Sequence, residues 1–111
     1  FKPMPQVALA KAILFLQEES DMDSDAIYRA INKIDWRWSR GSQFEGMVIT
    51  TDGTILTGSK IEKRLTHMII YWVLGRAKFE KTPSLGKKEL DKLDKDYRST
   101  TKQKGEFPKA N

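Results

Sequence analysis

Residues 46–81 read GMVITTDGTILTGSKIEKRLTHMIIYWVLGRAKFEK, and the fold of the chain turns on them. Asp52-Gly53 separates two short β-rich runs, 47–51 and 54–57. Asp-Gly between such runs predicts a β-hairpin, because a tight turn needs positive φ and both residues tolerate it. Behind the runs, Ser59-x-x-Glu62 has the form of a capping box preceded by the permissive Gly58. Ile61, Leu65, Met68, Ile69, Trp72 and Phe79 then recur with a helical period, and Pro83 sets the far limit. Gly75 offers an earlier end through a left-handed cap, leaving 76–81 as an extension. No other stretch is as apolar, so the rest of the chain is expected to pack on this hairpin and long helix.

Upstream, Val7, Ala10, Ile13, Leu14 and Gln17 predict a first helix over 6–18, with Leu9 and Leu16 widening its apolar arc. An acidic linker follows at 18–25. Asp21, Asp23 and Asp25 alternate as in part of a calcium loop, but the glycine and the distal glutamate of that loop are missing, and capping of the next helix is the simpler reading. A second helix is predicted over 25–38, with Ile27, Ile31, Ile34 and Trp38 on one face. Arg29, Lys33, Trp36 and Arg40 fall on the opposite face, with Arg37 beside them. Cations around an aromatic suit nucleic acid, because the cations meet phosphates and an indole stacks on a base. The competing reading covers Trp36 under a loop and leaves the cations as a solvated face.

Downstream, Leu85, Leu90, Leu93 and Tyr97 predict a short amphipathic helix over 87–98, with Asp91–Lys95 and Asp94–Arg98 as i, i+4 pairs. Residues 99–111, STTKQKGEFPKAN, read as a flexible polar tail, which leaves 1–98 as one small domain. In the long helix, Ile70 and Leu74 lie opposite the main apolar stripe. That makes them a candidate partner interface, for a second copy in a homodimer or for another protein, with cover by the first or the C-terminal helix of the same chain as the competing reading.

A chain of 111 residues and 39% apolar content fits one globular domain. The net charge of +5 is uneven. Residues 1–75 hold 9 basic and 9 acidic side chains, whereas 76–111 hold 11 and 6. The basic end implies an anionic partner or a solubilising surface. No run reaches the length of a membrane span, and the opening Phe1-Lys2-Pro3-Met4-Pro5 lacks the apolar run of a secretory signal. A start at Phe1 fits a processed or partial chain. The absence of Cys removes thiolate chemistry and zinc–sulfur sites, and a reducing, cytoplasmic location is the expectation.

Catalytic and cofactor motifs are absent. The single histidine, His67, has no second histidine or tight carboxylate cluster near it in sequence. Gly58-Ser59-Lys60 is not a phosphate loop, although a helix N-terminus there has the chemistry to hold one phosphate. The order strand–Asp-Gly–strand–Gly–helix over 48–64 resembles ParB-like nucleotide-binding domains across fewer than twenty residues. Ser59, Lys60, Ile61 and Glu62 replace the basic residues expected after that glycine, so no family is assigned.

The sequence therefore predicts an α+β fold: two N-terminal helices, a β-hairpin, a long central helix, and a short C-terminal helix with a mobile basic tail. The expected function is a non-catalytic, cofactor-free nucleic-acid-binding accessory or regulatory protein acting through Arg29, Lys33, Trp36, Arg37 and Arg40. The alternative is a protein-binding inhibitor or adaptor using the hairpin and the Ile70 and Leu74 face. Neither reading involves a membrane.

Overall fold

Five helices order the chain among the described residues: α1 (Met4–Glu19), α2 (Ser24–Asn32), α3 (Ser59–Leu74), α4 (Arg76–Lys81) and α5 (Gly86–Thr101). The structure is a computed structural model that describes residues 4–39 and 41–109. Glycines set both ends of α3. Gly58 precedes it at φ 111° and Gly75 follows it at φ 85°, conformations that a side chain disfavours. The Gly75 amide donates to Tyr71 O at 2.8 Å, and the chain turns directly into α4. The Ser59–Glu62 capping box does not form. Gly58 takes the cap position, Ser59 becomes the first helical residue, and Glu62 pairs with Lys11 on α1.

The expected α+β fold is not what forms: the architecture is all-helical, and the described residues contain no sheet and no β-hairpin. Residues 45–56 make only two isolated bridges, Glu45 to Ile49 and Ile49 to Ile55. The cause lies at Phe44. Its carbonyl accepts from the amides of Met47, Val48 and Ile49 at 3.1, 2.9 and 3.2 Å, which coils the first run instead of extending it. Met47, Val48 and Ile49 are all fully buried, so neither side of that run faces water as one face of a two-stranded hairpin does. The Asp52-Gly53 turn does form, with Gly53 at φ 89° and Thr50 N donating to Thr54 O at 2.8 Å, but it joins loops. The likeness to ParB-like domains loses its strands with the hairpin.

α1 packs along α3 over the largest interhelical contact. Ala8, Ala12 and Leu16, at i, i+4 and i+8, are fully buried there. The two alanines let the helix axes approach, since separation follows side-chain size at the crossing. This face is rotated from the one the spacing suggests, and Leu14 is left half-exposed. α2 stops at Asn32, well short of residue 38. Its last turn tightens through Lys33 N to Ala30 O and Ile34 N to Ile31 O, at 3.2 and 3.1 Å. The Trp36 indole then donates to the Ile31 carbonyl at 3.0 Å, a second donor on the oxygen that Ile34 N also meets.

The C-terminal stretch is docked on the core. α5 continues to Thr101, and Lys102 (φ 62°) and Gly105 (φ 94°) turn the chain back along it. Phe107 is 2% exposed and packs against Tyr71, Trp72 and Tyr97. Asp94 holds it there. The carboxylate accepts from Phe107 N at 2.8 Å and from Arg76 at 2.6 and 3.2 Å, so Asp94 pairs with Arg76 and not with the predicted Arg98. Burial pushes the Asp94 carboxyl up, but Arg76 and the Phe107 amide outweigh it and hold it below the usual carboxylate range.

Candidate nucleic-acid interface

The cationic residues that the sequence places around Trp36 do not form one face. Arg29 lies on α2 and Lys33 is its C-cap, and both are exposed. Arg40 lies outside the described residues. Arg37 is engaged by Asp35 through a two-point contact at 2.7–3.0 Å, which leaves little net charge. Trp36 is off the helix altogether. Its ring stacks on Phe44 at 5.8 Å, and Trp38 stacks on the same ring at 4.3 Å. Phe44 in turn meets the edge of Trp72. The indole belongs to the rim of the core, and its N–H is already used. Of the two residues given to a partner interface, Ile70 is 1% exposed within the single chain and Leu74 is half-buried.

A different face collects the positive charge. Lys60, Lys63, Arg64 and His67 occupy i, i+3, i+4 and i+7 of α3 and so share one side of the helix. Lys88, Lys92 and Lys95 occupy i, i+4 and i+7 of α5. The two rows flank a groove lined by Lys63 from α3 and by Lys88, Glu89, Asp91, Lys92, Lys95 and Asp96 from α5, so the four lysines share it with three carboxylates. All five lysines are exposed, and none makes an ion pair among the described residues. Among the other cations, Lys11 pairs with Glu62, Arg37 with Asp35, and Arg76 with Asp94 and Glu106, whereas Arg29, Lys33 and several lysines of α4, α5 and the C-terminal stretch are likewise without an ion pair among the described residues.

The floor between the rows is built from two cross-helix pairs. Arg64 Nε lies 3.4 Å from Asp96 Oδ2, and its Nη1 donates to the Met47 carbonyl at 3.0 Å. Its side chain is only 9% exposed, so the guanidinium is fixed from two directions. His67 Nδ1 lies 3.2 Å from Glu89 Oε2, with both side chains 16% exposed. Burial lowers the imidazole's proton affinity, Glu89 raises it, and Lys63 and Lys92 lower it again, so it sits below its ordinary value and His67 is neutral at pH 7. Its edge also meets the Phe79 ring.

Comparison with protein-family models, curated proteins and solved structures returned no match to this chain. Its function rests on this geometry. The described residues contain no group of three or more potential ligands placed to hold a metal ion, and Asp23 is occupied as the α2 cap, accepting from Ala26 N at 2.8 Å. No helix among them is long and apolar enough to cross a membrane. The groove residues carried a signal in the sequence, namely cations at i, i+3, i+4 and i+7 and at i, i+4 and i+7. What the sequence does not show is that α3 and α5 turn those rows toward each other.

Proposed function

We propose that the protein is a small nucleic-acid-binding accessory protein that holds a strand in the groove between α3 and α5. The observation that supports this reading is the pair of facing lysine rows without ion-pair partners. Such lysines release counterions when they meet phosphates, and that release drives sequence-independent binding. Arg64 and His67 stiffen the floor, while the lysines stay free to follow a backbone. Arg29 and Lys33 remain exposed and add to the positive field without forming part of the groove. The protein-binding alternative loses its supports, since the hairpin is absent and Ile70 is covered by the chain itself.

The test is fluorescence anisotropy of a labelled oligonucleotide with two variants. Replacing Lys63, Lys92 and Lys95 by Ala should weaken binding and lower the salt slope by about two units on a single strand, at roughly 0.7 per lost phosphate contact. Replacing Arg29 and Lys33 by Ala should leave the affinity within a factor of about two, as surface charges outside a contact do. The reverse pattern would move the interface to α2 and refute the groove.

A further inference from the structure

Along the α3 side the groove narrows into a recess lined by Lys60, Lys63, Arg64, His67, Glu89 and Lys92, with Asp96 beside Arg64. It leaves a volume of ≈ 30 Å³, against ≈ 500 Å³ in the open groove that shares Lys63, Glu89, Lys92 and Asp96 with it. A space of that size holds one or two waters or a single small anion, not a chain passing through. We propose that the recess binds a phosphate monoester at the end of a nucleic-acid strand, while the lysine rows hold the diesters that follow. The proposal rests on the groove reading above and narrows it to a preferred end chemistry.

Three observations carry it. The first is charge. Four positive side chains face two carboxylates in the recess with His67 neutral, which leaves two positive charges. A phosphate monoester brings about 1.5 to 2 negative charges at pH 7, whereas an internal diester brings one. The second is incomplete pairing. Arg64 Nε is a buried donor that lacks a hydrogen-bond partner among the described residues, and it lies in this recess; the other such atom, Glu89 Oε2, is an acceptor and calls for a donor such as a protonated His67 and not for an anion. Buried groups left short of partners mark places where a further polar species belongs. Arg64 also has its Nη2 outside the hydrogen bonds that anchor Nη1, so a fixed guanidinium presents open donors.

The third is the imidazole. His67 is faced by Lys60, Lys63 and Arg64 from its own helix, by Glu89, Lys92 and Asp96 from α5, and by the uncharged Phe79 ring from α4. Its Nδ1 lies 3.2 Å from Glu89 Oε2, a carboxylate that favours the protonated ring. A dianion seated in the recess favours the charged imidazole, so binding should draw one proton from solution. By the same linkage, the preference for a phosphorylated end should grow as pH falls from 8 to 6.

The experiment uses one labelled single-stranded oligonucleotide in three forms: 5′-phosphorylated, 3′-phosphorylated and with both ends hydroxyl. One phosphorylated form should bind about tenfold more tightly than the hydroxyl form, as a charge-assisted, multi-point contact gives. His67→Gln should shrink that advantage, read as the ratio of the affinities of the phosphorylated and hydroxyl forms. The chain holds a single histidine, so its imidazole NMR signal is unambiguous, and its titration should move to higher pH only with the phosphorylated strand. This readout keeps the test valid if the variant is unstable. Equal affinity of all three forms, with steep salt dependence retained, would overturn the recess and leave the groove. A response of the His67 signal to inorganic phosphate, with no gain for either phosphorylated strand, would overturn the strand-end assignment. Absence of binding by every form would overturn the groove itself.

Discussion

Removing the Phe107 side chain should unfold the C-terminal dock and cost much of the domain's stability. The ring is 2% exposed, stacks on Trp72 at 5.5 Å, and meets the edges of Tyr71 at 5.1 Å and Tyr97 at 5.9 Å. Truncation of a buried phenylalanine to alanine costs about 3–5 kcal/mol when the site cannot collapse. Here part of that cost is relieved, because the terminal segment can detach and let water in. Detachment instead gives up the Tyr71 OH to Phe107 O and Trp72 Nε1 to Pro108 O hydrogen bonds, at 2.8 and 3.0 Å, each worth about 1 kcal/mol. It also leaves Asp94 without the Phe107 amide. The two routes converge on about 3 kcal/mol for Phe107→Ala. For a domain of this size that lowers Tm by about 12–24 °C, at 4–8 °C per kcal/mol. Urea unfolding followed by tryptophan fluorescence reads it directly, since Trp72 lies against the lost ring. A loss below about 1 kcal/mol, the level of an ordinary surface change, would mean that 102–109 does not dock as described.

The other predictions concern backbone, pH and the tryptophan. A Cβ at Gly46, φ 84°, meets Thr101 Cγ2 at 2.8 Å and Thr100 O at 3.2 Å, whereas one at Gly53, φ 89°, meets nothing within 4 Å. Gly46→Ala should therefore destabilise by about 2–4 kcal/mol and Gly53→Ala by only about 1 kcal/mol, and equal melting temperatures for the two variants would contradict the close approach of the loop to α5. His67 binds its proton less readily folded than unfolded, so the unfolded chain takes up more protons in acid and stability falls as pH drops through about 6.5, the ordinary imidazole value. Asp94 is shifted in the same direction, and its contribution is present above the ordinary carboxyl value of 3.8 and is lost as pH falls below it. Urea midpoints at pH 7.5 and 5.5 should fall in the parent and stay level in His67→Gln; parallel changes in both would reject His67 as the cause. Trp36→Ala should lower stability by about 2–4 kcal/mol, since it loses the Phe44 stack and the Ile31 bond, while nucleic-acid affinity stays unchanged. A loss of affinity with stability intact would restore Trp36 to the binding site.

The helical parts were legible where local signals and packing agree. The apolar period of α3 and the glycine after Leu74 were both readable, and α1 and α5 exist near their expected bounds. The hairpin shows the opposite case. Gly53 adopts the positive φ that Asp-Gly advertises, but a turn signal says nothing about whether a partner strand is present. Phe44 decides the matter by gathering three amides on one carbonyl, a contact with no sequence signature. Phe107 misled in a different way. One aromatic in a polar stretch reads as a tail until Asp94, thirteen residues back, accepts its amide. Trp36 leaves the predicted face because α2 ends four residues before it, and an indole off the helix no longer lines up with Arg29. The groove was hidden for the same reason in reverse. Each lysine row is visible in one dimension, but the facing of α3 and α5 depends on α4, a six-residue helix whose angle rests on Gly75 and on the Arg76–Asp94 pair.

The groove account is tested most directly by the salt dependence of nucleic-acid affinity for the parent protein. Five unpaired lysines contacting phosphates predict a log–log slope of about −3.5 on a single strand and about −4.5 on a duplex. Measured between 50 and 200 mM salt, a slope in that range supports two facing lysine rows as the binding surface. A slope shallower than about −1, or no binding at the lower salt, would contradict it.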